Sequence, residues 1–364
     1  MTTAWRVRMR PRDTHDEHRA ATPLELFFDL TFVVAIAQAA SRLHHGLAEV
    51  HIADSLSTYP LVFFAVWWAW MNFTWFASAY DTDDGPYRVA VFVQMAGVLI
   101  LAAGVPRAFD ERDFTVVVAG YVVMRLALVA QWLRAAAGHP DGRTCALRYA
   151  TGIFVCQIGW IVLLAAEGSV WAVGFALLAA AELLVPVWAE RAGATAWHAR
   201  HIAERYGLFT IIVLGESVLA ATLAVQQAVD VGDSLGDLAT VATGGLLTVF
   251  AMWWLYFDQP ASRVVERVRE SFGRRGSRGA FLWGYGHMVV FASAAAVGAG
   301  IAVSVDHATG RSHGLSDAGA GLVFTVPVAL YVLSVWALHV RQKPPGPFRV
   351  TAAPAAAALV VAAS

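Results

Sequence analysis

Lysine is nearly missing from this 364-residue chain: Lys343 is its single example, and arginine supplies the rest of the 26 basic residues. Cysteine is as scarce, with Cys145 and Cys156 alone, which excludes a disulfide framework and leaves no ligand spacing for a thiolate metal site. Charged residues of either sign make up only 15% of the chain, too few to coat a soluble globule of this size. No P-loop, dinucleotide fingerprint or paired HExxH occurs, and Gly215-Glu216-Ser217 lacks the second glycine of a nucleophile elbow. Because no nucleophile is paired with a base, the chain reads as no enzyme, with no cofactor and no metal expected.

What the chain has instead is apolar length. Hydrophobic residues make up 58% of it, in runs of the size that crosses a bilayer. Ten such runs are expected as spans, at 24–43, 58–79, 88–105, 114–134, 149–166, 170–187, 206–227, 236–257, 281–303 and 315–339. The predicted fold class is all-α, a polytopic transmembrane helix bundle, because in hydrocarbon every backbone amide must be satisfied within its own segment. Residues 1–22 read as a basic N-terminal arm, 23–341 as the bundle, and 342–364 as a tail or short last helix. The apolar stretch at 350–363 is interrupted by Pro354, and about 14 residues rising about 1.5 Å each reach only about 21 Å.

The arginines set the expected orientation. Counting Lys and Arg, 21 fall in the N-terminal arm and the even-numbered loops and 4 in the odd-numbered loops, with Arg125 inside the fourth span. That split puts the N-terminus and even loops in the cytoplasm. The first run stays a helix and not a cleaved signal, since Glu25 and Asp29 make a poor signal core.

Those two acids lie one helical turn apart on one face. Glu25, in the first turn, is favoured there by the helix macrodipole alone; Asp29 lies deeper, where an acid is costly and points to function. Depth counted from the cytoplasmic helix ends sorts the polar residues of the spans into two layers. Asp29, Asn72, Gln94, Glu182 and His287 fall in the shallower layer, and Arg125 and Glu216 near the midplane, where they are expected to pair. Asn72, Gln94 and Glu182 fit interhelical hydrogen bonds best.

Three stretches carry a resemblance. "PLELFFDLTFVVAIAQ" (23–38), "HIAERYGLFTIIVLGESVLA" (201–220) and "YGHMVVFASAAAVGAG" (285–300) are similar to the signature stretches of the bacterial low temperature requirement A family of membrane proteins. The resemblance implies a multi-pass protein of the bacterial inner membrane associated with growth in the cold. It brings no defined catalytic set, only the motif residues, among them Glu25, Asp29, His201, Glu204, Arg205, Glu216 and His287. The first two motifs also align with each other at an offset of 179, as a duplication with halves at 23–190 and 200–341 would produce.

Other groupings carry blander readings. Trp67, Met71 and Trp75 form a packing stripe; His44, His45, His51 and Asp54 read as solvated loop residues; His198, His201 and Glu204 read as interfacial contacts. The segment 261–279, rich in arginine with Val264, Val265, Val268 and Phe272 on one face, fits anionic lipid at the cytoplasmic leaflet, and no nucleic acid, since stacking aromatics are lacking. The basic arm, interrupted by acids, reads as a mobile tail. Two functions stay open: a small-solute or ion permease using the intramembrane acids as coupling sites, and a non-transporting scaffold or lipid-sensing protein. The orientation is checked by reporter fusions, which should read as external after Ala48 and Asp233 and as cytoplasmic after His139, Ala194 and Arg275.

Overall fold

A computed structural model describes residues 5–12, 20–231, 235–258, 276–311, 314–340 and 347–363. Within them the chain forms α1 (Pro23–Ala48), α2 (Ile52–Tyr80), α3 (Gly85–Asp110), α4 (Thr115–Gly138), α5 (Arg143–Leu163) and α6 (Gly168–Ala189). After a short 3₁₀ turn follow α7 (Ala199–Val231), α8 (Leu235–Phe257), α9 (Gly276–Ala308), α10 (Asp317–Val335), which runs on as a π-helical turn at Trp336–Val340, and α11 (Pro347–Ala362). Among the described residues ten helices are long and apolar enough to cross a membrane, in the order and close to the places expected. The apolar part of α11, Ala352–Ala362, is shorter than a span. Nearly all of the segment 261–279, expected to meet anionic lipid, lies outside the described residues, which hold only the backbone of its last four.

The helices start where local chemistry satisfies their free amides. Thr22 and Glu25 form a capping box on α1: the Thr22 hydroxyl accepts from the Glu25 amide (3.2 Å), and the Glu25 carboxylate accepts from the Thr22 amide (2.8 Å). Asp84 caps α3, accepting from the Tyr87 amide at 3.1 Å. At α7 the cap is a histidine, His198, whose Nδ1 accepts from the His201 amide at 3.3 Å.

The chain divides into two compact units, each described by itself. The first comprises Met1–Ala35 and Ala65–Ile202. In it α3 and α4 touch through their backbones: a Cβ at Gly120 would fall 2.3 Å from the Leu101 amide nitrogen, and one at Gly104 2.6 Å from that of Val117. Aromatic packing ties the rest, with Trp132 stacked on Tyr149 at 4.1 Å and Phe28 tilted against Phe73 at 4.1 Å. The second unit comprises Ile36–Phe64 and Ala203–Ser364. Here α9 is the central helix. Its Gly298 approaches the Cα of Ser217 on α7, and its Gly300 that of Phe324 on α10, each to within 2.9 Å of where a Cβ would stand. Within the span window of α9, 78% of residues are buried, against 22% for α8 and for α10, whose residues are mostly partly or fully exposed.

Residues 5–12 are where the sequence reading fails. Expected as part of a mobile tail, they are a strap held along the ends of α2, α3 and α4. The Val7 amide donates to Asp84 (2.7 Å), the Gly85 amide to the Trp5 carbonyl (3.1 Å), and the Arg12 amide to the Ala79 carbonyl (3.0 Å). Arg8 Nε caps the end of α4 at the Gly138 carbonyl (2.8 Å), and Arg134 bonds both Asp84 and the Val7 carbonyl (2.8 Å). Arg134 and Asp84 close this network as an ion pair. Met9 is buried against Gly138, whose missing Cβ leaves room for the strap backbone. The charge pattern suggested a tail because it takes no account of backbone amides, which here supply half of the attachment.

Burial raises the affinity of the Asp84 carboxyl for a proton, but the Arg134 guanidinium and the Val7 and Tyr87 amides outweigh it and hold the group below the usual carboxylate range. A depressed carboxylate contributes stability that is present above its unfolded pKa and lost as pH falls through the folded one. Asp84→Asn should therefore lower the thermal midpoint at pH 7, by a cost of about 1 to 3 kcal/mol, and the gap to the parent protein should narrow as the pH is brought below about 4. An unchanged gap down to acid pH would assign the loss to something other than this charge.

Candidate functional site

The polar residues of the spans separate into those whose hydrogen bonds are met and those whose are not. Glu182 on α6, fully buried, is the most heavily bonded. Arg125 Nη2 donates to its Oε2 at 2.7 Å and Trp68 Nε1 to the same oxygen at 3.0 Å. Tyr121 (3.1 Å), Gln157 (3.0 Å) and Trp160 (3.3 Å) donate to Oε1. One carboxylate thus ties α6 to α2, α4 and α5. The expected partner of Arg125 was Glu216; the partner found is Glu182, with the Arg125 and Glu182 side chains 1% and 0% exposed. The two-layer reading fails at the same point. It placed Glu182 well above Arg125, but depth counted from helix ends assumes that the ends are level, and arginine bridges several ångströms along its own stem.

The acids of the first motif are also occupied. Glu25, besides its capping role, lies 3.2 Å from His201 Nε2, so the first and second signature stretches meet at one buried pair. Asp29 accepts from Trp70 Nε1 at 2.7 Å and is fully buried. Of the supporting residues, Asn72 donates to the Trp68 carbonyl of its own helix at 2.9 Å, a local bond and not the interhelical one expected. Gln94 is buried, and its Nε2 has no hydrogen-bond partner among the described residues.

In the second unit His287 is enclosed. Its Nδ1 lies 2.9 Å from the Trp283 carbonyl, which can only accept, so Nδ1 carries the hydrogen and Nε2 accepts from the Tyr256 hydroxyl at 3.0 Å. The rings of Trp283, Tyr206 and His339 pack around it at 4.2, 4.9 and 5.7 Å. Arg205 is buried and Glu204 exposed. His44, read as a loop residue, is bonded to Asp306 at 2.6 Å. Among the described residues no group of three or more His, Cys, Asp or Glu is placed to hold a metal ion.

Glu216 stands apart from these. It sits at the middle of the 33-residue α7, half-buried, with no hydrogen bond or ion pair among the described residues. Its neighbour Ser217 faces inward, donating to the Ala294 carbonyl of α9 at 2.9 Å. Five residues before it and three after it, Ile211 and Leu219 are 47% and 51% exposed, so Glu216 borders an outward apolar face.

Indole and phenol donors are what the sequence reading missed. Trp68, Trp70, Tyr121 and Trp160 belong to no motif singled out in the sequence, and only the position of an acid on another helix shows that their N–H and O–H groups are spent on it.

The ten long apolar helices among the described residues, with the buried pair of Arg125 and Glu182 between them, define a multi-pass integral membrane protein of the helical-bundle class, embedded in a lipid bilayer. Residues 20–364 match the profile described as bacterial low temperature requirement A protein, and the chain belongs to that family. It is also similar to an uncharacterized protein of Rhizobium meliloti (strain 1021), 27% identical over 293 residues that cover 77% of this chain and 68% of the relative. No solved structure matches the chain.

The Glu182 cluster makes a test of pairing. Glu182→Met and Arg125→Met each strand a buried opposite charge and should cost about 3 to 5 kcal/mol. Combined, they should be less destabilising than the sum of the two by at least about 1 kcal/mol, read as thermal midpoints in detergent. Simple additivity would show that the pair is not the source of the loss.

Proposed function

We propose that this member of the low temperature requirement A family is a permease for a small solute or ion in the bacterial inner membrane, with its N-terminus in the cytoplasm, and that Glu216 is its coupling site. One observation carries this reading: Glu216 is a mid-span carboxyl without a protein partner among the described residues, whereas Glu25, Asp29 and Glu182 each accept from named donors. A carboxylate left in that setting costs several kcal/mol, and it is relieved by taking a proton or cation from outside the fold. Arg125 is then the counter-ion of Glu182, and His287 and Asp29 organise the helices around the site instead of carrying charge across.

The scaffold or lipid-sensing alternative draws on a different observation, that most intramembrane polar groups are already spent on neighbouring helices. The two readings separate at Glu216→Gln, which keeps volume and hydrogen-bonding capacity but removes the titrating proton. For a permease, the amide protein should accumulate normally, lose pH-dependent flux of ions or solutes into liposomes, and fail to support growth in the cold. Normal accumulation with parental cold growth and flux would remove Glu216 as a coupling site and favour the scaffold.

A further inference from the structure

In the first unit, the groups that surround the Glu182 cluster are not all used up. Arg125 spends Nη2 on Glu182, but its Nε and Nη1 are buried with no partner among the described residues. Gln157 spends Nε2 on Glu182 and the Ile153 carbonyl, leaving Oε1 buried and unmet. Gln94 leaves Nε2 unmet as well. Buried donors and acceptors without partners are uncommon in native proteins, and each carries a desolvation cost that nothing repays. Several in one place point to a ligand that supplies the missing bonds.

The three side chains share a level. Arg125 and Gln157 both reach Glu182, at 2.7 and 3.0 Å. Gln94 is brought in by the α3–α4 register. Gly97 lies against Met124, Gly104 against Val117 and Gly120 against Leu101, an antiparallel alignment that sets Gln94 opposite Ala127. Ala127 is two residues from Arg125, about 3 Å along the axis.

We infer that this layer is a binding site for a small uncharged solute bearing a carbonyl or hydroxyl oxygen, an amide being the best match. Charge decides the class. Arg125 and Glu182 already neutralise each other, so an added anion would leave a net negative charge in a low-dielectric interior, while a neutral solute leaves none. Valence decides the rest. The unspent groups are three donors and one acceptor, which suits a ligand that offers oxygen lone pairs and one N–H or O–H for Gln157 Oε1. The site belongs to the first unit and is independent of the coupling role proposed for Glu216, so either can fail alone.

The test is binding of acetamide to the full chain purified in detergent, read as the thermal midpoint over a concentration series, with sodium acetate against sodium chloride as the anionic comparison. The midpoint should rise saturably with acetamide and not with acetate. Gln94→Leu removes one donor and should weaken the acetamide response about tenfold, while the midpoint without ligand stays level or rises because an unmet polar group has been replaced by an apolar one. Gln94→Met serves if the leucine variant misfolds. Gln131→Leu is the control: Gln131 is buried and unpartnered too, but lies six residues from Arg125, about 9 Å along α4, and its removal should leave the response intact. Absence of a saturable acetamide response would overturn the site, as would an equal response to acetate. A response that Gln94→Leu leaves unchanged would also overturn it.

Discussion

A carboxylate taken into hydrocarbon must be met by donors or it unfolds the segment that carries it, and Glu182 shows how many donors that can take. Its two oxygens accept from Arg125, Trp68, Tyr121, Gln157 and Trp160, drawn from three helices. The requirement runs in both directions, since Arg125 is as deeply buried as the acid and would be stranded without it. The apolar surfaces of α2, α4, α5 and α6 gain little by leaving lipid for one another, so directional bonds and close backbone contact fix how these helices meet. The close approach of α3 and α4 at Gly104 and Gly120 supplies the second of these where no charge is present.

The same rule answers why the first span begins with two acids. Glu25 completes a capping box with Thr22, and it also receives His201, so the start of α1 and the start of α7 are fixed by one side chain. Asp29, one turn further in, is met by the indole of Trp70. A signature shared by two distant stretches of sequence thus has a structural cause before it has a functional one. Losing either Glu25 or His201 would take from the other, buried side chain the bond that joins the two signature stretches.

The spans were legible because lipid imposes a length, and an apolar run of that length between arginine-rich breaks has few other solutions. The start of α1 carries a cap signature, Thr22-x-x-Glu25, of which the sequence reading used only the acid. The partner of Arg125 was not legible, since nothing local distinguishes Glu182 from Glu216; rotation and height of α6 relative to α4 decide it, and both come from packing. Nor was the use of tryptophan as a donor, for an indole reads as apolar until an acid is found within 3 Å of its nitrogen. The strap at 5–12 was hidden for a related reason. Its attachments run largely through main-chain groups of Trp5, Val7 and Arg12, which every sequence possesses.

Once the met groups are set aside, the polar groups on which the two proposals rest differ in kind. Glu216 is a charge-bearing group on a half-exposed helix edge, open to exchange with a proton or cation. Arg125 Nε and Nη1, Gln94 Nε2 and Gln157 Oε1 are hydrogen-bonding groups around an ion pair that is already neutral. The first can respond to proton or cation activity, whereas the second can respond only to the shape and lone pairs of a molecule. A permease needs both responses, one for the driving ion and one for the cargo, and a scaffold needs neither. Glu25, Asp29 and Glu182 each accept from named donors, so it is the groups still unmet in the same spans that favour the permease reading over the scaffold.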